Sequence, residues 1–360
     1  MRFVVGVDSS TSACKVQVYD LDSGAVVASG RAPHPSTTPP RSEQQPADWE
    51  VAFHDACAQA GVPGQHRPVA LSVAAQQHGL VVLGADGAVL RAAKLWNDTE
   101  SAADAEALLR ALPGGRAAWA AACGSVPLPS FTIAKLHWLR RCEPEVLERT
   151  ATVLLPHDWL TWRLTGRLTT DRGDVSGTGY WSPSEERYRP ELLRLVDDAR
   201  DWESMVPEVL GPRSAAGEWP DAGALVGPGT GDNMAAALGL GLQPGEVALS
   251  LGTSATAFSV RDEPTADPSG AVAGFADATG RYLPLVCTMN ATKVTDAVAR
   301  LLGVGRQRFD ELALESPAGA GGLVLVPHLD GERTPNRPEA TGTLRGILKQ
   351  IAVTLDDLEN

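Results

Sequence analysis

FVVGVDSSTSACKVQVYD, Phe3 to Asp20, reads as two strands joined by a turn of small hydroxylated residues. Phe3 to Val7 is a short apolar run that ends at Asp8. Lys15 to Tyr19 alternates polar and apolar residues, the period of a strand with one face on a core. The same order of features returns in EVALSLGTSATAFSVRD, Glu246 to Asp262. There Leu249-Ser250-Leu251-Gly252-Thr253-Ser254-Ala255 lines up with Val7-Asp8-Ser9-Ser10-Thr11-Ser12-Ala13. One hydroxyl-rich hairpin arises easily by chance. Two of them, each opening an α/β stretch, suggest a duplicated architecture.

Outward from the first hairpin, Val26 to Ser29 predicts a third strand and the Pro-rich Pro33 to Pro46 a surface loop. A helix is expected over Asp48 to Ala60, a buried strand over Val69 to Ala74, and a hairpin over Gly79 to Arg91 around Ala85-Asp86-Gly87. Thr99 to Arg149 is helical in pattern, with Ile133, Leu136 and Leu139 at helical spacing and Pro144 opening the next helix. Thr152 to Leu155 predicts a short strand. HDWLTWRLTG then predicts an aromatic helix closed by Gly166 as a C-cap. The tryptophans here and around Trp181 suit packing. LVGPGTGDNMAAALGLGLQPG, Leu225 to Gly245, is a Gly-rich turn, an Ala-rich helix and a second turn. It places a domain boundary near Gly241 and divides the chain into residues 1–240 and 241–360.

Composition limits the function. A chain of 360 residues holds two ordinary domains, and 43% hydrophobic with 21% charged residues is a soluble globular balance. No apolar run approaches the roughly 18 residues of a membrane span. The N-terminus reads as a first strand, not a secretory leader. A net charge of -13 argues against a nucleic-acid or anionic-membrane surface, although local amides and one metal ion can still hold a small phosphorylated ligand. Cys14, Cys57, Cys123, Cys142 and Cys287 are odd in number, spread out and never in a C-x-x-C pair. They read as reduced thiols of a cytoplasmic protein.

The chain has neither a G-x-x-x-x-G-K-[ST] loop nor a G-x-G-x-x-G turn between strand and helix. Phosphate binding would therefore use strand-turn-strand loops, as in actin-like ATPases, with hydroxyls of Thr11, Ser12, Thr253 and Ser254 as added donors. Asp8, beside the first turn, reads either as a Mg²⁺ contact through water or as an Asx-turn residue. Gln76-Gln77-His78-Gly79 follows a buried strand, where open α/β sheets bind ligands, and its groups match sugar hydroxyls. A solvated loop histidine is the plainer alternative. KLWND, Lys94 to Asp98, offers a Trp platform with polar neighbours, or ordinary packing. Asp232 opens the helix after Gly229-Thr230-Gly231. It is either an N-cap or a general base for phosphoryl transfer, and the residues alone favour the cap.

Taken together, GVDSSTSACKVQVYD, QQHG, KLWND, LLPHDWLTWRLTG, TTDRGDVSGTGYW, GTGDNMAAALGLG, LSLGTS and VPHLDGERTPNRPEATGTLRG resemble, in order over about residues 1 to 346, segments of the FGGY carbohydrate kinases, in particular their xylulokinase branch. The resemblance implies an α/β chain of two ribonuclease H-like (actin-like ATPase) domains flanking a cleft, the second incomplete here. It implies ATP and Mg²⁺ as cofactors and a small-molecule sugar as partner, with no nucleic acid and no membrane, and leaves a homodimer open. The implied reaction is phosphorylation of a pentulose, D-xylulose first and L-ribulose as the alternative. Asp232 would be the catalytic base. Gln77, His78, Trp96, Asp98, Asp232 and Asn233 would contact the sugar. Asp8, Thr11, Ser12, Lys15, Gly252, Thr253 and Ser254 would face the phosphates, with Asp8 also the metal contact. GERTP, Gly331 to Pro335, is expected only to be a rigid turn near the cleft. After Gly346 the likeness ends in ILKQIAVTLDDLEN. The adenosine-binding loop is therefore expected to be missing and ATP binding impaired, with an inactive sugar-binding remnant as the rival reading.

Overall fold

The computed structural model describes residues 2–329, 331–337 and 340–347. Strands β1 (Phe3–Ser9), β2 (Ala13–Asp20) and β3 (Val26–Pro33) form an antiparallel meander. β4 (Glu43–Gln44) and helix α1 (Pro46–Gln59) follow. The chain then crosses to β5 (Pro68–Ala75), which lies parallel to β1 with Val7 opposite Val73 and Asp8 opposite Ala74. A parallel return needs such a crossover, and α1 supplies it. Beyond β5 the strand Ala224–Val226 adds in parallel, and Gly217–Trp219 closes that edge.

The alternation expected of the first strands places Val5, Val7, Val16 and Val18 on one face. There they join Trp49, Phe53 and Cys57 of α1 and Trp159 and Leu160 of the helix Pro156–Thr165 in a buried core. Gly166 does end that helix in the left-handed conformation, at φ 72°.

One local expectation needs correction and another gains a partner. The Pro33–Pro46 stretch is not wholly a surface loop. Gln44 is buried, donating to Thr11 O and Pro35 O while accepting from Trp49 Nε1, because the side chain closes the edge of the α1 core. The Gly79–Arg91 turn forms, with Gly84 N–H donating to Ala88 O. Leu90 N–H donates to Val82 O and Leu83 bridges Val89, so the expected hairpin is present. Val81–Leu83 also pairs antiparallel with Thr152–Leu154, a pairing across about seventy residues that no local pattern encodes.

The chain divides into two compact units, Met1–Glu246 with Ser259–Pro284, and Val247–Phe258 with Leu285–Asn360. In the second, the strand Val247–Leu251 turns at Gly252-Thr253-Ser254 into Ala255–Ser259. Ala255 to Phe258 then pair antiparallel with Thr288 to Leu285. The strand-turn-strand device of β1 and β2 thus recurs. Helices Thr292–Leu301 and Arg306–Glu315 follow, and Val324–Val326 pairs with Thr343–Arg345. Among the described residues no helix is long and apolar enough to cross a membrane.

Candidate active site

Three parallel elements of the first unit end side by side. β1 ends at Asp8 and Ser9. β5 ends at Ala75 and passes into Gln76, whose N–H donates to Ser9 O. The third is the two-residue strand Thr230–Gly231, opposite Ala74 and Ala75. It prolongs the line of Ala224–Val226 after a break at Gly227-Pro228-Gly229. The carboxyl ends of parallel strands are where α/β sheets present ligand-binding groups. Here they bring together Asp8, Thr11, Gln76, Gln77, His78, Asp232 and Asn233.

Asp232 is the first residue of the helix Asp232–Leu240, and the N-cap position belongs to Gly231. Among the described residues its Oδ1 accepts only from its neighbour, from Asn233 N at 2.8 Å and Asn233 Nδ2 at 2.9 Å. A working cap looks different. Asp171 accepts from the N–H groups of Gly173 and Asp174, two and three residues on. The cap explanation of Asp232 therefore fails on geometry. Its side chain is half-buried, and burial, with the charge of Asp8 adding, raises its pKa to about 6 against the ion-favouring N–H of Asn233.

Gln77 Oε1 accepts from Asn233 Nδ2 at 2.9 Å. Its Nε2 is buried and has no hydrogen-bond acceptor among the described residues. Gly231 makes this approach feasible, since a Cβ there would lie 2.7 Å from Gln77 Cγ. His78 sits at φ 64°, a left-handed conformation uncommon for a side-chain-bearing residue and met most often where function demands it. Its carbonyl is held by Lys135 Nζ at 2.9 Å and Thr132 Oγ1 at 3.2 Å, and its ring stacks on Phe131 at 4.9 Å. Its Nδ1 lies 2.7 Å from Gly177 O. A carbonyl can only accept, so Nδ1 carries a hydrogen.

Trp96 Nε1 donates to Thr11 Oγ1 at 2.8 Å, which holds the indole at the first turn; Ser12 is exposed there. Lys15 Nζ pairs with Asp8 Oδ2 at 2.9 Å. Asp98 is not brought to this edge. It is fully buried, accepts from Ser42 N and Glu100 N, and pairs with Lys94 Nζ at 2.9 Å, in a cluster that also includes Glu43 and Glu100. The three carboxylates are close enough to suggest a metal site, but Lys94 already supplies the cation.

In the second unit, Gly252 N–H donates to Ser254 O across the turn. The turn is gripped from behind by the start of the next helix. Ala291 N–H donates to Thr253 O, and Thr292 donates through both N–H and Oγ1 to Gly252 O. The GERTP stretch lies one step further back. Glu332 is buried and accepts from Thr288 Oγ1, Met289 N, Asn290 Nδ2 and Arg333 N at 2.6–3.0 Å. These bonds hold its pKa low despite burial. Glu332 thus clamps residues 288–290, next to the two residues that grip the turn. Truncation by Glu332→Ala is expected to cost about 1–3 kcal/mol locally by leaving buried donors unpaired. Faster hydrogen exchange at Ala291 and Thr292 would report it.

Sequence reasoning missed a buried set beneath Asp232: His157, Asp158, Asp171 and Asp174. His157 Nδ1 lies 2.7 Å from Asp174 Oδ2, and its Nε2 lies 3.1 Å from Asp158 Oδ1 and 3.6 Å from Asp171 Oδ1. Burial alone would lower the imidazole pKa. The three carboxylates reverse this and hold it raised, at about 10. Burial in turn raises Asp158 to about 7 and Asp174 to about 6.

Residues 3–239 match the N-terminal domain of the FGGY family of carbohydrate kinases. The chain is 47% identical over 353 residues to a xylulose kinase of Streptomyces rubiginosus, a match that covers 96% of this chain and 70% of that protein. Its fold superposes on the crystal structure of a xylulose kinase from Bifidobacterium adolescentis with a TM-score of 0.86 at 41% identity, covering 99% and 78% of the two chains. A xylulose kinase from Rhodospirillum rubrum gives 0.85 at 27% identity, covering 96% and 73%. An α/β chain with the actin-like ATPase fold, whose parallel strands carry these polar groups to one sheet edge, belongs to the FGGY family of carbohydrate kinases.

Proposed function

We propose that the protein transfers the γ-phosphoryl group of ATP to the terminal hydroxyl of D-xylulose, O5, with Asp232 as general base. One observation carries this reading: a carboxyl raised to about 6 stands beside the Gln77–Asn233 pair, whose buried Gln77 Nε2 has no acceptor among the described residues. The carboxylate can take the proton of an attacking hydroxyl. The orphaned amide can donate to a sugar oxygen, with His78 beside it as a further polar contact. Trp96, tethered to Thr11, offers an apolar face for the sugar carbons. The relatives named as xylulose kinases favour D-xylulose over L-ribulose.

Phosphoryl transfer asks little covalent chemistry of the protein beyond alignment, charge neutralisation and such a base. Thr11, Ser12 and Lys15 would serve the phosphates from the first turn, and Gly252, Thr253 and Ser254 from the second. In this division residues 1–240 hold the sugar and residues 241–360 carry the second phosphate turn. A Mg²⁺ ion fits Asp8 as a contact through water, since Oδ2 is already paired with Lys15 and the carboxylate is partly exposed. Bound there, the ion would neutralise phosphate charge. All five cysteines are free thiols, which suits the cytoplasm.

Asp232 acts as a base only when ionised, and its pKa lies above the usual carboxylate range. Turnover should therefore be full well above pH 6 and fall as pH drops through about 6. A kcat–pH profile with its acid limb near the ordinary carboxylate value would contradict this. The substrate is tested by coupled ADP release over D-xylulose, L-ribulose, glycerol and gluconate. The expected kcat/KM is highest for D-xylulose, by about tenfold or more. A clear preference for glycerol or gluconate would overturn the assignment.

A further inference from the structure

We propose that Thr230 and His157 are positioning residues for Asp232, acting through a buried link that fixes the turn from which the base projects. The inference rests on the reading of Asp232 as the base. The proposed chemistry leaves the buried titratable set around His157 unused.

The link runs in one direction through the first unit. His157, wholly buried on the helix Pro156–Thr165, lies between Asp174 on one side and Asp158 and Asp171 on the other. Asp171 is held at both oxygens. Oδ1 accepts from Asp174 N at 2.9 Å, and Oδ2 accepts from Gly173 N at 2.8 Å and Thr230 Oγ1 at 2.7 Å. Thr230 is two residues before Asp232, and its other restraint is the ladder to Ala74 on β5. The Asp232 turn is thus pinned from two sides, by the strand that carries Gln77 and by the Asp171 carboxylate.

Close packing reinforces the link. Gly229, at φ 76°, rests on the imidazole, where a Cβ would meet His157 Cδ2 at 2.5 Å and Val73 O at 2.8 Å. A Cβ on Gly173 would meet Thr230 Oγ1 at 2.7 Å. The turn, the imidazole and the Asp171 loop therefore have no slack between them.

Stability does not account for this arrangement. Burying an imidazolium among three carboxylates incurs a desolvation penalty that well-packed apolar side chains would avoid. What the charged set does, and an apolar set of similar volume would not, is place the His157 imidazole 3.6 Å from Asp171 Oδ1 as an electrostatic restraint on the carboxylate that accepts the directional bond from Thr230 Oγ1. Alignment errors near 1 Å can cost about 100-fold in rate, so such a bond matters for a base placed by two residues of backbone.

The test measures kcat, D-xylulose affinity by calorimetry and melting temperature for Thr230→Val, Thr230→Ser, His157→Gln, the Thr230→Val/His157→Gln pair and Asp232→Asn. Thr230→Val keeps the shape and removes the hydroxyl. It should lower kcat about 10- to 100-fold while the Kd for D-xylulose stays within about threefold, and Thr230→Ser should restore kcat to within about threefold. The double variant should fall no further than the weaker single one, because both act through one link. If His157→Gln fails to fold, the Val and Ser variants at Thr230 still decide. If Asp232→Asn abolishes turnover while Thr230→Val keeps it within about twofold, or weakens sugar binding as much as kcat, this inference falls and the base assignment stands. If Asp232→Asn keeps its turnover, the base assignment falls and takes the inference with it.

Discussion

Replacing Asp232 by Asn is expected to lower kcat by about 10²- to 10⁴-fold and to leave the melting temperature unchanged or slightly higher. The direction of the stability effect follows from the site. Burial disfavours the ionised carboxylate and raises its pKa to about 6, so a neutral amide of the same shape relieves that penalty. The lost rate follows from the proton, which an amide cannot accept. A cap role would reverse the pattern, with a stability loss of about 1 kcal/mol and turnover kept. The bonds to Asn233 alone, and the true cap at Asp171, favour the first outcome. Thermal melts and steady-state kinetics on the same preparation separate the two.

Lys94→Met is expected to destabilise the first unit by about 3–5 kcal/mol, the usual cost of breaking a buried ion pair from one side. Lys94 is 0% exposed, and its Nζ lies 3.1 Å from Glu43, 2.9 Å from Asp98 and 2.6 Å from Glu100, 4.1 Å above the ring of Trp138. Methionine fills the stem's volume and supplies no charge. Glu43 keeps Arg41 and Arg91, but among the described residues Asp98 keeps only the N–H groups of Ser42 and Glu100. Urea unfolding followed by tryptophan fluorescence reads the loss directly. A change below about 1 kcal/mol would show that the cluster contributes little. This cluster also makes Asp98 a structural residue: Asp98→Asn should lower stability and leave the KM for D-xylulose nearly unchanged.

The elements that could be read from sequence are those with local causes. The alternation of Val5, Val7, Val16 and Val18 drew the first hairpin, Pro144 and Gly166 bounded their helices, and Gly229-Thr230-Gly231-Asp232 marked a tight approach before a helix. The likeness of the two hydroxyl turns survives as two strand-turn-strand loops. Convergence across the chain was not legible. Gln44, inside a Pro-rich stretch that looks solvated, is buried because Trp49 and the first turn both need its amide. Asp98 sits beside a Trp in a string that suits a sugar, yet its partner is Lys94, four residues back and turned the same way. His157 and Asp174 are seventeen residues apart, on the helix Pro156–Thr165 and the short helix Arg172–Val175, whose contact is tertiary, so neither HDWL nor RGDV marks the pair. Glu332 bonds a segment more than forty residues earlier.

The most direct test of the account is ³¹P NMR of the product formed from D-xylulose and Mg·ATP by the wild-type chain and by Asp232→Asn. One new phosphomonoester is expected, coupled to the terminal methylene protons of C5. Its rate of appearance should fall about 100-fold or more in the variant. A wild-type reaction that yields no sugar phosphomonoester, or one that Asp232→Asn forms at an equal rate, would contradict it.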